Sequence, residues 1–247
     1  MKAIKPVNSP LAGTLLSLSA PQVAEIIADS GFDWVLIDME HSAISLESVQ
    51  NALQVMGDRI LKIVRVPGND EIWIKRVLDT GCDGILVPMV NNEAEARKAV
   101  MYARYPVQGR RSVGLSRAHR YGPGFNDYID HANDELVLMI QIEHRDAVKN
   151  LDSILAVEGI DACFIGPYDL SASMGLAGKL SDPDVVSAIS QISARCRKAA
   201  MPWGIFGMNP EVLKPHIREG CTFALCGVDA AILADSYKAL LKDLRNS

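Results

Sequence analysis

The sequence predicts an α/β fold of the (β/α)8 barrel class, on the basis of a repeated pattern, an alternation of elements and the chain length. A pattern of Gly-x-Asp/Thr-x before an apolar run recurs four times, beginning at Gly31, Gly81, Gly159 and Gly220. Each glycine suits the left-handed position that ends a helix, and each apolar run suits a strand buried on both faces. The 247 residues match the size of one such barrel.

Eight candidate strands alternate with helical stretches along the chain. The strands are expected to begin near Gly13, Trp34, Leu61, Gly84, Leu136, Ala162, Trp203 and Phe223. Helices are expected over residues 21–30, 45–56, 70–79, 93–104, 145–155, 183–200 and 210–219, several of them after a capping residue or an early proline. This alternation favours a closed barrel, with a doubly wound open sheet as the alternative. No linker divides the chain, so we interpret residues 1–247 as one domain.

The composition excludes several classes of partner. The formal charge is −5 and there is no long basic run, which argues against nucleic acid or an anionic membrane as the main partner. No apolar run approaches the length of a membrane span, and residues 1–6 lack the apolar stretch of a signal peptide. Five cysteines without a C-x-x-C pair are interpreted as reduced core residues of a cytoplasmic protein.

Two apolar runs in the second half of the chain lead into carboxylates. Residues 136–142 precede Glu143, and residues 162–168 precede Asp169. An acid at the end of a buried strand is costly unless it is paired, hydrogen-bonded or bound to a metal. Active sites of parallel α/β proteins form at the carboxyl ends of strands, so these two acids could hold one divalent cation. The alternative is that each acid caps the following helix or pairs with an arginine.

Ionisable residues also follow the second and third strands. The second strand leads into Asp38, Glu40 and His41. A carboxylate can fix the tautomer of a histidine and raise its basicity, which makes His41 a candidate base. The third strand ends at Arg65, whose guanidinium could stabilise developing negative charge. Together with the two acids, this placement favours a catalytic role for Arg65 over a structural ion pair.

Residues 105–125 fit neither a helix nor a strand, and long irregular segments are often functional. The segment and its flank carry Arg104, Arg110, Arg111, Arg117 and Arg120. These arginines could receive an anionic substrate or the acids of a neighbouring subunit, or they could form a solvated surface loop. The absence of G-x-G-x-x-G after the first strand, of a P-loop and of G-x-S-x-G weakens dinucleotide, nucleotide and serine-hydrolase interpretations.

Taken together, these segments resemble the HpcH/HpaI family of class II pyruvate aldolases over essentially the whole chain. The matching segments are residues 38–41, 64–67, 77–81, 105–106 with Gly109 and Arg111, 141–143, 166–171 and 227–229. The resemblance implies a metal-dependent lyase that reversibly cleaves a 4-hydroxy-2-oxo acid to pyruvate or hydroxypyruvate and an aldehyde. It also implies a C-terminal helix swapped between subunits and a hexamer built as a trimer of dimers.

The resemblance further implies a divalent cation, usually Mg, Mn or Co, held by Glu143 and Asp169. Gln141, Arg65 and backbone groups around Tyr168 and Asp169 resemble the pyruvate-binding site. The position of Tyr168 is often occupied by a small residue in the family, which puts the shape of this chain's pocket in question.

Catalytic roles can be carried over in the same way. His41 resembles the family's proton acceptor, and Arg65 resembles its transition-state stabiliser. Asp79 resembles the acid that increases the basicity of that histidine, although Asp38 is the nearer candidate in sequence.

Two other functions remain open at this point. One is a different metal-enolate enzyme on a similar barrel, such as a phosphoenolpyruvate mutase-like enzyme or an acyl-CoA lyase. The other is a barrel that binds an oxo acid without turnover. The joint presence of His41, Arg65, Glu143 and Asp169 speaks against the second.

Overall fold

Eight parallel strands close into a barrel in which each strand pairs with the next and the eighth pairs with the first. The computed structural model describes residues 10–246, so the predicted features at residues 1–9 and 247 lie outside the described residues. The strands are β1 Leu11–Leu16, β2 Trp34–Asp38, β3 Leu61–Arg65, β4 Gly84–Val87, β5 Val137–Ile142, β6 Ala162–Ile165, β7 Trp203–Gly207 and β8 Phe223–Val228. The (β/α)8 prediction is confirmed, and the open-sheet alternative is wrong.

Helices lie between the strands and after the last one. They are α1 Pro21–Asp29, α2 Leu46–Met56, α3 Glu71–Asp79, α4 Glu93–Ala103, α5 Phe125–Glu135, α6 Arg145–Lys149, α7 Leu151–Leu155, α8 Pro167–Ser173, α9 Pro183–Lys198, α10 Pro210–Arg218 and α11 Asp229–Asn246. A short 3-10 helix spans Arg117–His119. The stretch predicted as one helix over 145–155 is two helices, because the backbone leaves helical geometry at Asn150.

The repeated glycine pattern has the structural role that the sequence predicts. All four glycines have left-handed backbone geometry, with φ of 84°, 79°, 95° and 91° at Gly31, Gly81, Gly159 and Gly220. The aspartate two residues after the glycine links neighbouring strands. In three of the repeats its carboxylate accepts a hydrogen bond from a backbone N–H at or next to the start of the neighbouring strand. The pairs are Asp33 with Ala12 at 2.8 Å, Asp83 with Lys62 at 2.9 Å and Asp161 with Leu138 at 2.7 Å.

Side chains of alternate strand residues fill the inside of the barrel, as the period of two in a strand requires. The large rings there meet edge to face: Trp34 lies 6.0 Å from Phe164 and 5.4 Å from Phe223, measured between ring centroids. Small residues make room for them. A Cβ on Gly13 would come within 2.3 Å of the Trp34 ring, so only glycine fits at that position.

The other face of the sheet packs against the helices and forms the larger apolar core, which includes Val35, Ile37, Val64 and Ile140. Residues on β2 thus alternate between the two cores. Within residues 10–246, no helix is both long enough and apolar enough to cross a membrane.

Candidate active site

The inward-facing positions of the strands lead directly to the predicted site residues. On β2 the inward series Trp34, Leu36 continues to Asp38, and on β3 Ile63 continues to Arg65. On β5 the series Val137, Met139 continues to Gln141. All three polar residues line one pocket of about 320 Å³ at the carboxyl ends of the strands. His41 and Asp169 line the same pocket.

Arg65 is held rigidly by Asp38. The Nε–H donates to Asp38 Oδ1 at 2.9 Å, and Nη2 donates to Oδ2 at 2.8 Å, so the pair is bidentate. Asp38 Oδ1 also accepts the backbone N–H groups of Glu40 at 3.0 Å and His41 at 3.3 Å. Burial would raise the pKa of Asp38, but the Arg65 hydrogen bond and charge and these N–H groups lower it. Asp38 is therefore an ionised anchor for Arg65 and for the loop that carries His41.

The carboxylate beside the His41 imidazole belongs to Glu40. Glu40 Oε2 lies 3.6 Å from His41 Nε2 and 3.3 Å from Arg65 Nη1. Burial raises the pKa of Glu40 to about 7 against the lowering effect of Arg65, and the charges of Glu143, Asp38 and Asp169 add to the rise. The His41 side chain is 58% exposed. It therefore stands at the rim of the pocket, where an incoming molecule can reach it.

Glu143 lies directly beyond β5 and is almost completely buried, with an exposure of 2%. Its Oε1 accepts the backbone N–H of Met89 at 2.7 Å, and its Oε2 accepts from Gln141 Nε2. Met89 follows β4 and has φ of 54°, a left-handed geometry that is uncommon outside glycine. The end of β4 thus adopts a strained turn that directs an N–H at this carboxylate.

The surroundings of Glu143 fit a divalent cation. Burial raises its pKa, and the charge of Asp169 raises it further, against the hydrogen bonds from Met89 and Gln141. The Oε1 atom of Gln141 is a buried acceptor without a hydrogen-bond partner. Gly166 leaves space above this group, since a Cβ there would lie 2.8 Å from Glu143 Oε2.

The donor set is small and consists of oxygen. Within residues 10–246, no cluster of three or more His, Cys, Asp or Glu could hold a metal ion. Two carboxylates from Glu143 and Asp169 suit Mg²⁺ or a similar hard cation, which keeps coordination positions for water and substrate oxygens.

Asp79 does not lie beside His41. It ends α3, at the opposite end of the barrel from the pocket, and its Oδ1 accepts from Arg111 Nη2 at 2.7 Å. The role that the resemblance gives to Asp79 therefore has no support within one chain. Asp38, the nearer candidate in sequence, binds Arg65 through its carboxylate, and the carboxylate that lies 3.6 Å from His41 Nε2 is that of Glu40.

The basic segment is also at the far end of the barrel and binds groups of its own chain. Arg104 is buried and pairs with Asp161 at 2.7 Å, just before β6 begins. Arg117 donates to the carbonyl of Thr80 at 2.6 Å, just before β4 begins. These arginines stabilise the amino end of the barrel. Arg104 and Arg117 therefore lie away from the pocket and are bound within their own chain, whereas Arg110 and Arg120 are exposed.

The cysteines behave as core residues. Cys82, Cys163, Cys196 and Cys221 are buried, and Cys226 is partly buried, all as free thiols. Burial raises the pKa of the Cys82 and Cys221 thiols to about 12, so both stay protonated near neutral pH.

Two contributors to the site escaped the sequence-based prediction, and a third, Glu40, was named only as one of the acids before His41. The sequence does not show which of these acids meets the imidazole. The Met89 N–H could not have been predicted, since a backbone donor has no residue-type signal. Phe206 lines the pocket from β7, and its ring lies 6.0 Å from that of Tyr168. It follows the predicted strand start at Trp203, and the sequence pattern gives it no role in the site.

A closed (β/α)8 barrel with acids, an arginine and a histidine at the carboxyl ends of its strands has the architecture of a barrel enzyme. Residues 12–236 match the model of the HpcH/HpaI aldolase/citrate lyase family. The chain belongs to this family.

Individual relatives agree with this assignment. The chain is 43% identical over 249 aligned residues to the 4-hydroxy-2-oxo-heptane-1,7-dioate aldolase of Shigella flexneri, covering 100% of this chain and 93% of that protein. Among solved structures it resembles an HpcH/HpaI aldolase/citrate lyase family protein from Burkholderia cenocepacia J2315, with a TM-score of 0.93 and 29% sequence identity. The match covers 98% of this chain and 97% of that protein chain. It also resembles an HpcH/HpaI aldolase from Desulfitobacterium hafniense DCB-2, with a TM-score of 0.90 and 30% sequence identity. That match covers 97% of this chain and 94% of the other. The prediction of a carbon–carbon lyase of the aldolase type is confirmed.

Proposed function

We propose that this chain is a divalent-metal-dependent aldolase that reversibly joins pyruvate, or hydroxypyruvate, to an aldehyde. In this reaction the oxo acid loses a proton from C3, C3 bonds to the aldehyde carbon, and the aldehyde oxygen gains a proton. The convergence of Gln141, Arg65, His41 and Asp169 on one pocket, with Glu143 behind Gln141, carries the proposal. The Shigella relative, named as a 4-hydroxy-2-oxo-heptane-1,7-dioate aldolase, supports the reaction class.

Glu143 and Asp169 are the proposed ligands of Mg²⁺, Mn²⁺ or Co²⁺. When bound, such a cation supplies a Lewis acid that stabilises negative charge on the oxygens of the oxo acid. Gln141 orients Glu143 through their hydrogen bond. The oxo acid is proposed to lie against Gln141 and the backbone of Tyr168 and Asp169.

Arg65 is the proposed stabiliser of the negative oxygen that forms during carbon–carbon bond formation or cleavage. Two of its five N–H groups bind Asp38, and the Nη1 atom faces Glu40, so part of the fork remains available to a substrate oxygen. Because Asp38 fixes the plane of the guanidinium, little reorganisation is needed during the reaction. His41, at the exposed rim, is proposed to move the proton of the C4 hydroxyl.

The test isolates the first chemical step, without any aldehyde. Protein with Mn²⁺ or Mg²⁺ should exchange the C3 protons of pyruvate for deuterium in D2O, followed by proton NMR of the methyl signal. Chelation should stop the exchange, and Glu143→Gln should lose both the exchange and Mn²⁺ binding measured by calorimetry. Absence of metal-dependent exchange with both pyruvate and hydroxypyruvate would overturn the proposal and favour a mutase-like enzyme or an acyl-CoA lyase.

His41→Ala separates the two proton transfers. If His41 serves the C4 hydroxyl, this variant should keep appreciable C3 exchange and lose most cleavage of a 4-hydroxy-2-oxo acid. Equal loss of both activities would assign the C3 proton to His41 instead.

The assembly and the location of the enzyme are also proposals. The exposed apolar side chains of α11 support a homo-oligomer in which this helix packs on another copy, and a hexamer built as a trimer of dimers is the form that the resemblance implies. A cytoplasmic location stays a prediction from the cysteine content.

A further inference from the structure

The pocket has a polar half and an apolar half. The polar side chains come mainly from β2, β3 and β5, and Asp169 adds to them from α8. The half formed by β6, β7, β8, β1 and the segments that follow them is apolar except for Ser17 and, at its border with β5, Asp169. Its lining residues are Leu15, Phe164, Tyr168, Phe206, Leu225 and Val228. Because strand order in a barrel fixes position around the mouth, the two halves face each other across one cavity.

Two aromatic rings form the upper wall of the apolar half. The Tyr168 and Phe206 rings lie 6.0 Å apart between centroids, with an angle of 50° between their planes. Tyr168 remains 42% exposed although it lines the pocket, so its ring is available to a bound molecule. Below them, Phe164 is buried against Trp34 and forms a fixed floor. An apolar group that enters here would replace water on both rings without forcing the floor to move.

The charges around the pocket disfavour a second carboxylate. Arg65 is the one cationic side chain, apart from His41 when protonated, among the lining residues that the structure describes, and Asp38 already binds it bidentately. Asp169 also lines the pocket, and Glu40 is adjacent to His41 and Arg65. The charge of the proposed divalent cation is matched by its two carboxylate ligands, Glu143 and Asp169. A carboxylate placed against Tyr168 and Phe206 would therefore lose its hydration without gaining an unpaired positive charge, which is costly.

We infer that the acceptor of this enzyme is an uncharged aldehyde with a branched or aromatic apolar substituent, seated against Tyr168 and Phe206, rather than an aldehyde that ends in a carboxylate. This inference rests on the proposed aldolase function. It distinguishes the chain from the Shigella relative, whose name specifies a dioate.

The experiment compares two aldehydes of the same length and shape. 4-Methylpentanal carries an isopropyl group where 4-oxobutanoate carries a carboxylate. Addition of each to pyruvate is measured with the metal-loaded protein, alongside C3 exchange in the absence of aldehyde. We expect kcat/KM to be at least about tenfold higher for 4-methylpentanal, the scale at which one apolar contact discriminates between substrates.

Variants of the two rings test the location of the acceptor. Tyr168→Ala and Phe206→Ala should each reduce the preference for 4-methylpentanal over 4-oxobutanoate by about fivefold or more. A general loss of folding lowers both activities together and leaves their ratio unchanged, so the ratio reports contact with the acceptor. Ile26→Ala is the matched control, since Ile26 is an exposed apolar residue of α1 outside the pocket. It should leave the ratio and the exchange rate as in the wild type.

The possible results separate this inference from the proposed function. Preference of the wild type for 4-oxobutanoate, or unchanged ratios in both ring variants, would overturn the apolar acceptor. Exchange at C3 with neither aldehyde accepted would also overturn it, and would leave the enolate-forming function intact. Loss of exchange itself would remove the proposed function and this inference with it.

Discussion

Arg65 has a geometry that lysine cannot reproduce. Its side chain is 11% exposed, and its planar fork meets both carboxylate oxygens of Asp38 while leaving other N–H groups free. A lysine ammonium is a single point charge on a flexible stem, and it could satisfy Asp38 or the substrate but not both in a fixed orientation.

Arg65→Lys should therefore chiefly lower kcat, by about 3 kcal/mol if Arg65 acts like an oxyanion-hole donor in the transition state. Steady-state cleavage of a 4-hydroxy-2-oxo acid measures this loss. A raised KM with kcat unchanged would show that Arg65 only binds substrate.

Burial of Glu40 makes the stability of the folded protein depend on pH. Its pKa rises from 4.5 to about 7, mainly through burial. Between these pH values the folded protein binds this proton more tightly than the unfolded chain does. The free energy of unfolding therefore falls as pH increases through this window, and the loss is complete above about pH 7.

Glu40→Gln removes that loss because glutamine cannot ionise. In metal-free protein the variant should be more stable than the wild type at pH 8, by about 3 kcal/mol for a shift of this size, and the difference should be much smaller at pH 5. Urea unfolding with a chelator present at both pH values measures it. The same stability difference at both pH values would contradict the assigned pKa.

At the scale of elements, a buried arginine fixes the segment between α4 and α5. Arg111 is 2% exposed, pairs with Asp79 at 2.7 Å and lies over the ring of Tyr105 at 4.5 Å and that of Tyr128 at 5.8 Å. Since Asp79 ends α3, this cluster connects three elements at the amino end of the barrel. A segment with this many glycines and prolines has little regular structure of its own, so these contacts largely determine its shape.

Arg111→Ala should destabilise the protein by about 3 kcal/mol, because it leaves Asp79 without its partner and removes the cation between two rings. Arg110→Ala is the control, because Arg110 is more than half exposed in its pair with Glu71 and should cost less than about 1 kcal/mol. Denaturant titrations of both variants measure the difference. Equal effects would show that burial of Arg111 adds nothing.

On the surface of the whole molecule, helix α11 carries a stripe of exposed apolar side chains. Ile232, Leu233, Tyr237, Leu240, Leu241 and Leu244 are each at least 40% exposed. Most of them recur at the spacing of one helix face, and a stripe of this size is rare on a monomer. We expect a second copy of the chain to cover this stripe, in line with the proposed homo-oligomer.

Replacing Leu240 and Leu241 together by Asp should shift the protein towards monomer, because two charges would enter an apolar contact. Light scattering coupled to size exclusion measures the mass. Lys242→Asp lies on the opposite face of α11 and should leave the mass unchanged. A wild type that is monomeric at micromolar concentration would overturn the assembly.

Much of the fold follows from local sequence patterns. Six of the eight strands begin at the predicted residue, β1 begins two residues earlier and β5 one residue later. Helices α5 and α8 were missed because α5 is polar along most of its length and α8 has seven residues directly after a strand. Hydrophobic periodicity detects longer amphipathic helices, and neither α5 nor α8 has enough apolar residues at helical spacing to show it.

The sequence by itself determined the barrel and placed Asp38, Arg65, Gln141 and Glu143 at strand ends, because strand periodicity and helix-ending glycines are local properties. Tertiary structure alone decided which of these groups meet. It brought Arg65 to Asp38, Glu40 to His41, Arg111 to Asp79, and Tyr168 to Phe206 on the next strand. These contacts depend on barrel closure and on the course of loops, which bring together residues that no local pattern relates.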